Sequence, residues 1–223
     1  MMWGLDFSKI DWSEMGTASV DTLQMMLYST LFTLVIGLPL GVLLYVSSRS
    51  NSTVLQWVYR VMSFIVNIIR SVPFIILIVA LIPLTRAIVG VSSGVQGTIP
   101  PLVIAAAPFF ARLVETALRE VDRGVIEASQ AMGATPFQVI RKVLLPESLP
   151  GLLAGITITV VTLVSYTAMS GMIGGGGLGD LAIRYGYYRY EKEVMIVSVI
   201  FMVILVQVLQ MLGDRLVIYF TRK

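Results

Sequence analysis

The chain has 223 residues, 57% of them hydrophobic and 13% charged, with a formal net charge of +3 and a mean hydropathy of +0.87. Soluble domains carry roughly 25% charged residues, so 16 Lys/Arg and 13 Asp/Glu exclude a water-soluble fold and indicate an integral membrane protein. The absence of Cys and His excludes disulfides and removes the commonest general base and metal ligand; no metal site is expected, and the modest basic excess fits Lys/Arg kept on cytoplasmic loops better than a nucleic-acid surface.

A helix crosses the bilayer core with about 20 mostly apolar residues. Residues 22–48 contain no charge and give the first span, in which Gly37 and Gly41 let a second helix approach closely. Ahead of it, Asp6, Asp11, Glu14 and Asp21 against Lys9 are the reverse of a basic leader, so no cleavable signal is expected. Residues 61–91 are too long for one simple span and are interrupted by Arg70. Pro73 follows that arginine and suits a first helical turn, which predicts a second span over 71–91 with 61–69 skirting the membrane. After a Gly/Ser turn at 90–97 come a third span over 98–118, a fourth over 150–172 and a fifth over 194–220. Arg49 and Arg60 follow the first span while Lys9 alone precedes it. Positive charge stays inside, so the amino terminus is expected outside and the carboxy terminus, with Arg222 and Lys223, in the cytoplasm.

This topology makes residues 119–149 a cytoplasmic loop. A short helix is predicted from Gly124 to Met132, stopped by Gly133. A second helix is predicted to start with Thr135 as N-cap, Pro136 at the first helical position and Gln138 completing a capping box. Phe137, Ile140 and Leu144 would share one apolar face against the membrane surface. The small Ala128 and Ser129 would let a partner groove close on the backbone, and Glu127 would pair with a partner cation; the other reading is a generic amphipathic loop with a well-capped turn.

Glu127-Ala128-Ser129, three residues, Gly133, nine residues and Val143-x-Leu145-Pro146 resemble the Glu-Ala-Ala loop of permease subunits in bacterial ABC importers. Ser129 and Val143 depart conservatively from that family's Ala and Ile. The resemblance extends to 35–46, 70–77, 106–112 and 174–179, and is nearest to the permeases of methionine importers. It implies an all-α, five-span type I importer permease fold with residues 1–223 as a single transmembrane domain in the bacterial inner membrane. It further implies a homodimer working with two ABC ATPase subunits and an extracytoplasmic substrate-binding lipoprotein, for D- and L-methionine or another amino acid. The coupling-loop residues are then Glu127, Ala128, Ser129, Gly133, Ala134, Thr135, Pro136 and Pro146. No Gly-x-x-x-x-Gly-Lys-Ser/Thr occurs, so no catalytic residue or cofactor is assigned to this chain; ATP and magnesium belong to the partner. A stand-alone channel or secondary carrier is the competing reading, though such carriers usually show internal repeats.

In the fourth span, Thr157, Thr159, Thr162, Ser165 and Thr167 place hydroxyls at membrane depth, where polar groups face the bundle interior. The resemblance implies a gate here, with Met169 as the gating side chain, Tyr166 beside it, and Ser165 and Thr162 along the path. The alternative is that each Thr bonds its own helix and Met169 simply packs. Gly174-x-Gly176-x-x-Gly179 formally matches a dinucleotide fingerprint, but no βαβ pattern surrounds it, and a flexible or closely packed extracellular connection is expected. Tyr185, Tyr187, Tyr188 and Tyr190 read as an interfacial belt or a docking surface. Structural roles are expected for Arg70, Arg112 and Asp214.

Overall fold

Asp11 starts the first helix: its Oδ1 accepts from the backbone N–H of Ser13 at 2.9 Å and of Glu14 at 3.1 Å, satisfying donors that a helix start leaves open. The computed structural model describes Ser8 and residues 10–221; Asp6, Lys9, Arg222 and Lys223 of the leader and orientation arguments lie outside the described residues. Helix α1 (Trp12–Arg49) has 38 residues, about 57 Å at 1.5 Å per residue. It therefore outreaches a bilayer core of ~30 Å, beginning ten residues before the predicted span.

Helix α2 (Thr53–Ser71) corrects the predicted second span. It runs unbroken through 61–69 and through Arg70, and ends only at Val72, which adopts φ −80°, ψ 126°, the extended conformation favoured before proline. The chain then bends by 104° into α3 (Phe74–Ala80) and continues as α4 (Ile82–Val89), closed by Gly90 at φ 81°. Arg70 does not interrupt the helix, since arginine is a good helix former; its guanidinium lies against the Phe109 ring of α5, 5.7 Å from the centroid.

The remaining long helices are α5 (Gly94–Arg119), α9 (Leu149–Ser170) and α11 (Lys192–Thr221), with the short α6 (Arg123–Ala131), α7 (Pro136–Val139) and α8 (Leu145–Glu147) between α5 and α9, and α10 (Gly177–Leu181) after α9. By length and composition, α1, α5, the stretch Leu149–Ile173 and α11 can each cross a membrane, and the α2–α3 pair, bent by 104°, has the composition of a broken span or a re-entrant loop, for four or five spans in all. The fold is all-α, with no strand among the described residues.

Helix α5 is the axis: 67% of its apolar window is buried, against 17% for the peripheral α11. Small residues bring the other helices onto it. Gly37 and Gly41 of α1 face Phe110 and Val114, while Gly151 and Gly155 of α9 face Ala117 and Leu113. Large apolar side chains such as Leu27, Phe64 and Ile204 stay exposed, which suits lipid tails as apolar as they are.

A polar clamp fastens α2 to α5. Glu115, 3% exposed, accepts from Arg112 Nη1 at 2.6 Å and from Arg119 Nη2 at 2.6 Å. Arg112 Nη2 continues across to the Ser63 carbonyl at 3.2 Å, to Asn67 Oδ1 at 3.1 Å and to the Ser63 hydroxyl. Arg112 is thus structural, as expected; Asp214 accepts from Gln210 Nε2 at 3.1 Å on its own helix.

The glycine run is a tightly packed connection. Gly174, Gly176 and Gly177 have φ of 71°, 79° and 78°, a region open mainly to glycine. The N–H of Leu178 donates to Thr22 Oγ1 at 2.9 Å, so the turn is pinned onto α1. Beyond it, Tyr187, Tyr188 and Tyr190 are exposed, while Tyr185 packs beneath Arg184 and Arg189.

Candidate functional site

Local chemistry builds the loop between α5 and α9. Asp122 caps α6 by accepting from the N–H of Gly124. At the other end Gly133 takes φ 84°, its N–H donates to the Gln130 carbonyl at 2.9 Å, and that of Ala134 reaches back to the Ser129 carbonyl at 3.1 Å. This left-handed closure is how glycine ends a helix. The next helix opens as the spacing predicts: Thr135 Oγ1 accepts from the Gln138 N–H at 3.4 Å and Gln138 Oε1 accepts from the Thr135 N–H at 2.8 Å, with Pro136 first in α7. Thr135→Ala removes one arm of this reciprocal pair and is expected to cost about 1 kcal/mol. A thermal melt of the purified chain checks it, Thr135→Ser staying near wild type.

The predicted apolar face is rearranged. After α7 the backbone passes through a π-helical turn, Ile140–Leu144, whose i→i+5 hydrogen bonding brings residues five apart over one another. Val139 and Leu144 therefore share the buried face, at 5% and 4% exposure, and Phe137 is turned out at 68%. Val139 and Leu144 pack on Tyr45, Leu118, Val121 and Leu152, tying the loop to α1, α5 and α9.

Exposure sorts the candidate residues. Glu127, Ala128, Gly133, Thr135, Pro136 and Pro146 are exposed and Ala134 is half-buried. Ser129 is buried, its Oγ donating to the Ile126 carbonyl at 2.7 Å, so it faces the bundle and is not part of the outer surface. Met132, 82% exposed, and Phe137 add apolar contact area beside Glu127 and Ala128, which the face assignment from sequence had missed. A cleft of about 650 Å³ runs between the end of α1 and this element, bordered by Tyr45, Arg49, Arg123, Glu127 and Gln130. Glu127 has no ion-pair partner among the described residues, leaving its carboxylate open to an external cation.

The pathway candidates on α9 do not converge on one cavity. Thr162 Oγ1 donates to the Ile158 carbonyl of its own helix at 2.8 Å, as Thr157, Thr159 and Thr167 do to Leu153, Gly155 and Val164. Ser165 borders a groove against α11. Tyr166 turns the other way and stacks on Phe74, with centroids 4.3 Å apart and planes 5° from parallel. Met169 is exposed near the end of α9.

A family described as binding-protein-dependent transport system inner membrane component matches residues 37–223. The D-methionine transport system permease protein MetI of Escherichia coli (strain K12) is 59% identical over 203 residues, covering 91% of this chain and 94% of that protein. A probable D-methionine transport system permease protein MetI of Pasteurella multocida (strain Pm70) is 44% identical, covering 95% and 98%. Among solved structures, a chain of the MetNI methionine ABC transporter in an inward facing conformation superposes with a TM-score of 0.89 at 52% identity, over 93% of this chain and 96% of that one. An amino acid ABC transporter with histidines shares the fold, at a TM-score of 0.75 and 19% identity, over 99% of both chains.

Proposed function

Because the chain belongs to the binding-protein-dependent transport system inner membrane components, we propose that it is the permease subunit of an ATP-driven importer and that it carries methionine, in D and L forms. Relatives at 44% and 59% identity whose names specify D-methionine transport support the substrate. The permease works as a homodimer in the bacterial inner membrane. Each copy docks one ATPase subunit and takes substrate from an extracytoplasmic binding lipoprotein. The amino terminus lies outside and the carboxy terminus inside, which gathers Arg49, Arg60, Arg119, Arg123, Arg141 and Lys142 on the cytoplasmic side.

No catalytic group is assigned to this chain; nucleotide and magnesium are held by the ATPase. The permease contributes a lever. Closure of the ATPase pair pulls on α6 and α7, and Val139 and Leu144 carry that displacement into α5, α9 and α1. The bundle then exchanges inward-open and outward-open states, biased by whichever contacts the nucleotide-bound partner favours.

The capped two-helix element with Glu127 and Ala128 on its outer surface carries this reading. Gly133→Pro forces φ to about −65° where the native value is 84° and removes the N–H donated to Gln130; Glu127→Arg reverses the exposed charge. With the ATPase co-expressed, each variant is expected to insert normally and to lose ATP-driven methionine uptake about tenfold or more, the equivalent of some 1.4 kcal/mol of coupling. Full uptake by both variants, or flux through the purified chain without any ATPase, rejects the lever.

A further inference from the structure

A cavity between α2, α3, α5 and α9 holds a cation that the described residues leave unneutralised. It encloses about 220 Å³ and is bordered by Ile69, Arg70, Phe74, Leu77, Phe109 and Tyr166. The stacked Phe74 and Tyr166 rings form one wall, and Phe109, under the Arg70 guanidinium, forms another. Arg112 and Arg119 share Glu115, whereas Arg70 has no ion-pair partner among the described residues. Ionisable side chains at membrane depth are rare and line pathways or cavities. Arg70 is exposed and meets α5 through the Phe109 ring alone, a contact that leaves its charge without a counter-ion.

We propose that the cavity is a transit site for the substrate within the permease. Arg70 receives the carboxylate of an amino acid through its planar fork of donors, and the Phe74, Phe109 and Tyr166 rings receive an apolar or thioether side chain, for which sulfur–aromatic contact is favourable. The volume is below the roughly 300–1,000 Å³ of pockets for larger ligands, so one amino acid fits and a peptide does not. The site disfavours a cationic side chain, since its one charged lining residue is Arg70 and no acidic residue lines it. This inference rests on the reading of the chain as an amino-acid permease and gives Tyr166 a role that Ser165, on the opposite groove, does not share.

The test uses the permease reconstituted with its ATPase and binding protein. Photo-methionine, the diazirine analogue, is supplied with ATP, irradiated during turnover and mapped by mass spectrometry. Label is expected within residues 69–77 and 105–109 of the wild type. Arg70→Gln is expected to lower it roughly tenfold, as loss of a charge-assisted hydrogen bond implies, with uptake falling in parallel; Arg70→Lys retains most of both. Arg86→Gln, a surface change at a residue bonded to Ser92, leaves both as in wild type. Wild-type label confined to other segments, or an Arg70→Gln protein labelled and transporting normally, overturns the transit site. A wild-type complex that does not import methionine overturns the substrate reading instead, and the diazirine analogue of the amino acid it does import then decides the cavity by the same map.

Discussion

Glu115→Ala lowers the stability of the chain by about 3–5 kcal/mol, the cost of leaving buried charge uncompensated when one partner of a buried ion pair is removed. Both carboxylate oxygens are used: Oε2 by Arg112 Nη1 at 2.6 Å, and Oε1 by Arg119 Nη2 at 2.6 Å and Nε at 3.2 Å. Without them Arg112, only 18% exposed along its side chain, keeps its bonds to Ser63 and Asn67 but loses its counter-charge. Arg119 is 43% exposed and can turn towards water, so most of the loss falls on Arg112. A thermal or denaturant melt in detergent reads the effect. A loss below about 1 kcal/mol, the range of exposed ion pairs, would show the clamp to be incidental. Glu115→Gln, which keeps shape and some hydrogen bonding, falls between the two. Exchanging Arg112 and Glu115 together for leucine and methionine is milder than Glu115→Ala, because no buried charge is then stranded and only the half-exposed Arg119 loses its partner.

Gly41→Ala is the second large effect, expected at about 3 kcal/mol or more, the upper part of the range for overpacked sites. A Cβ at Gly41 would stand 2.5 Å from Val114 Cβ and 2.6 Å from the Ala111 carbonyl oxygen. Neither neighbour can swing away, since one is a branch point and the other is backbone of the central helix. The α1–α5 contact must open, and with it the packing of Leu44 and Ala111, which are completely buried. Gly37→Ala is less severe, as its nearest neighbour is the Phe110 ring at 2.9 Å. Gly16→Ala is the control on the same helix: nothing lies within 4 Å of its Cβ position, and helix propensity then favours alanine by up to ~1 kcal/mol. Melting curves of the three variants should order as Gly16→Ala, Gly37→Ala, Gly41→Ala from most to least stable.

The Gly37/Gly41 spacing was legible as a close-approach surface, but the helix it meets was not, because glycine marks a gap and carries no information about what fills it. Glu115 illustrates the opposite difficulty. Arg112, Glu115 and Arg119 at i, i+3 and i+7 read in sequence like ordinary exposed charges near a helix end; only the approach of Ser63, Asn67 and Tyr59 from α2 reveals a buried clamp. The start of α2 was missed for a related reason. Arg70 looked like a break in an apolar run, and the ring that lies beneath it is 39 positions away in the chain, on α5.

The four long apolar spans, the capping box at Thr135 and the stop at Gly133 were set by sequence alone, since hydropathy sums over one segment and caps form between residues a few positions apart. The π turn that exposes Phe137, the inward turn of Ser129, the bend after α2 and the divergence of Tyr166 from Ser165 were decided by the tertiary structure. Each depends on which surface of a helix meets its neighbour, and a rotation of one residue, about 100°, is enough to exchange a buried side chain for an exposed one without altering any local signal.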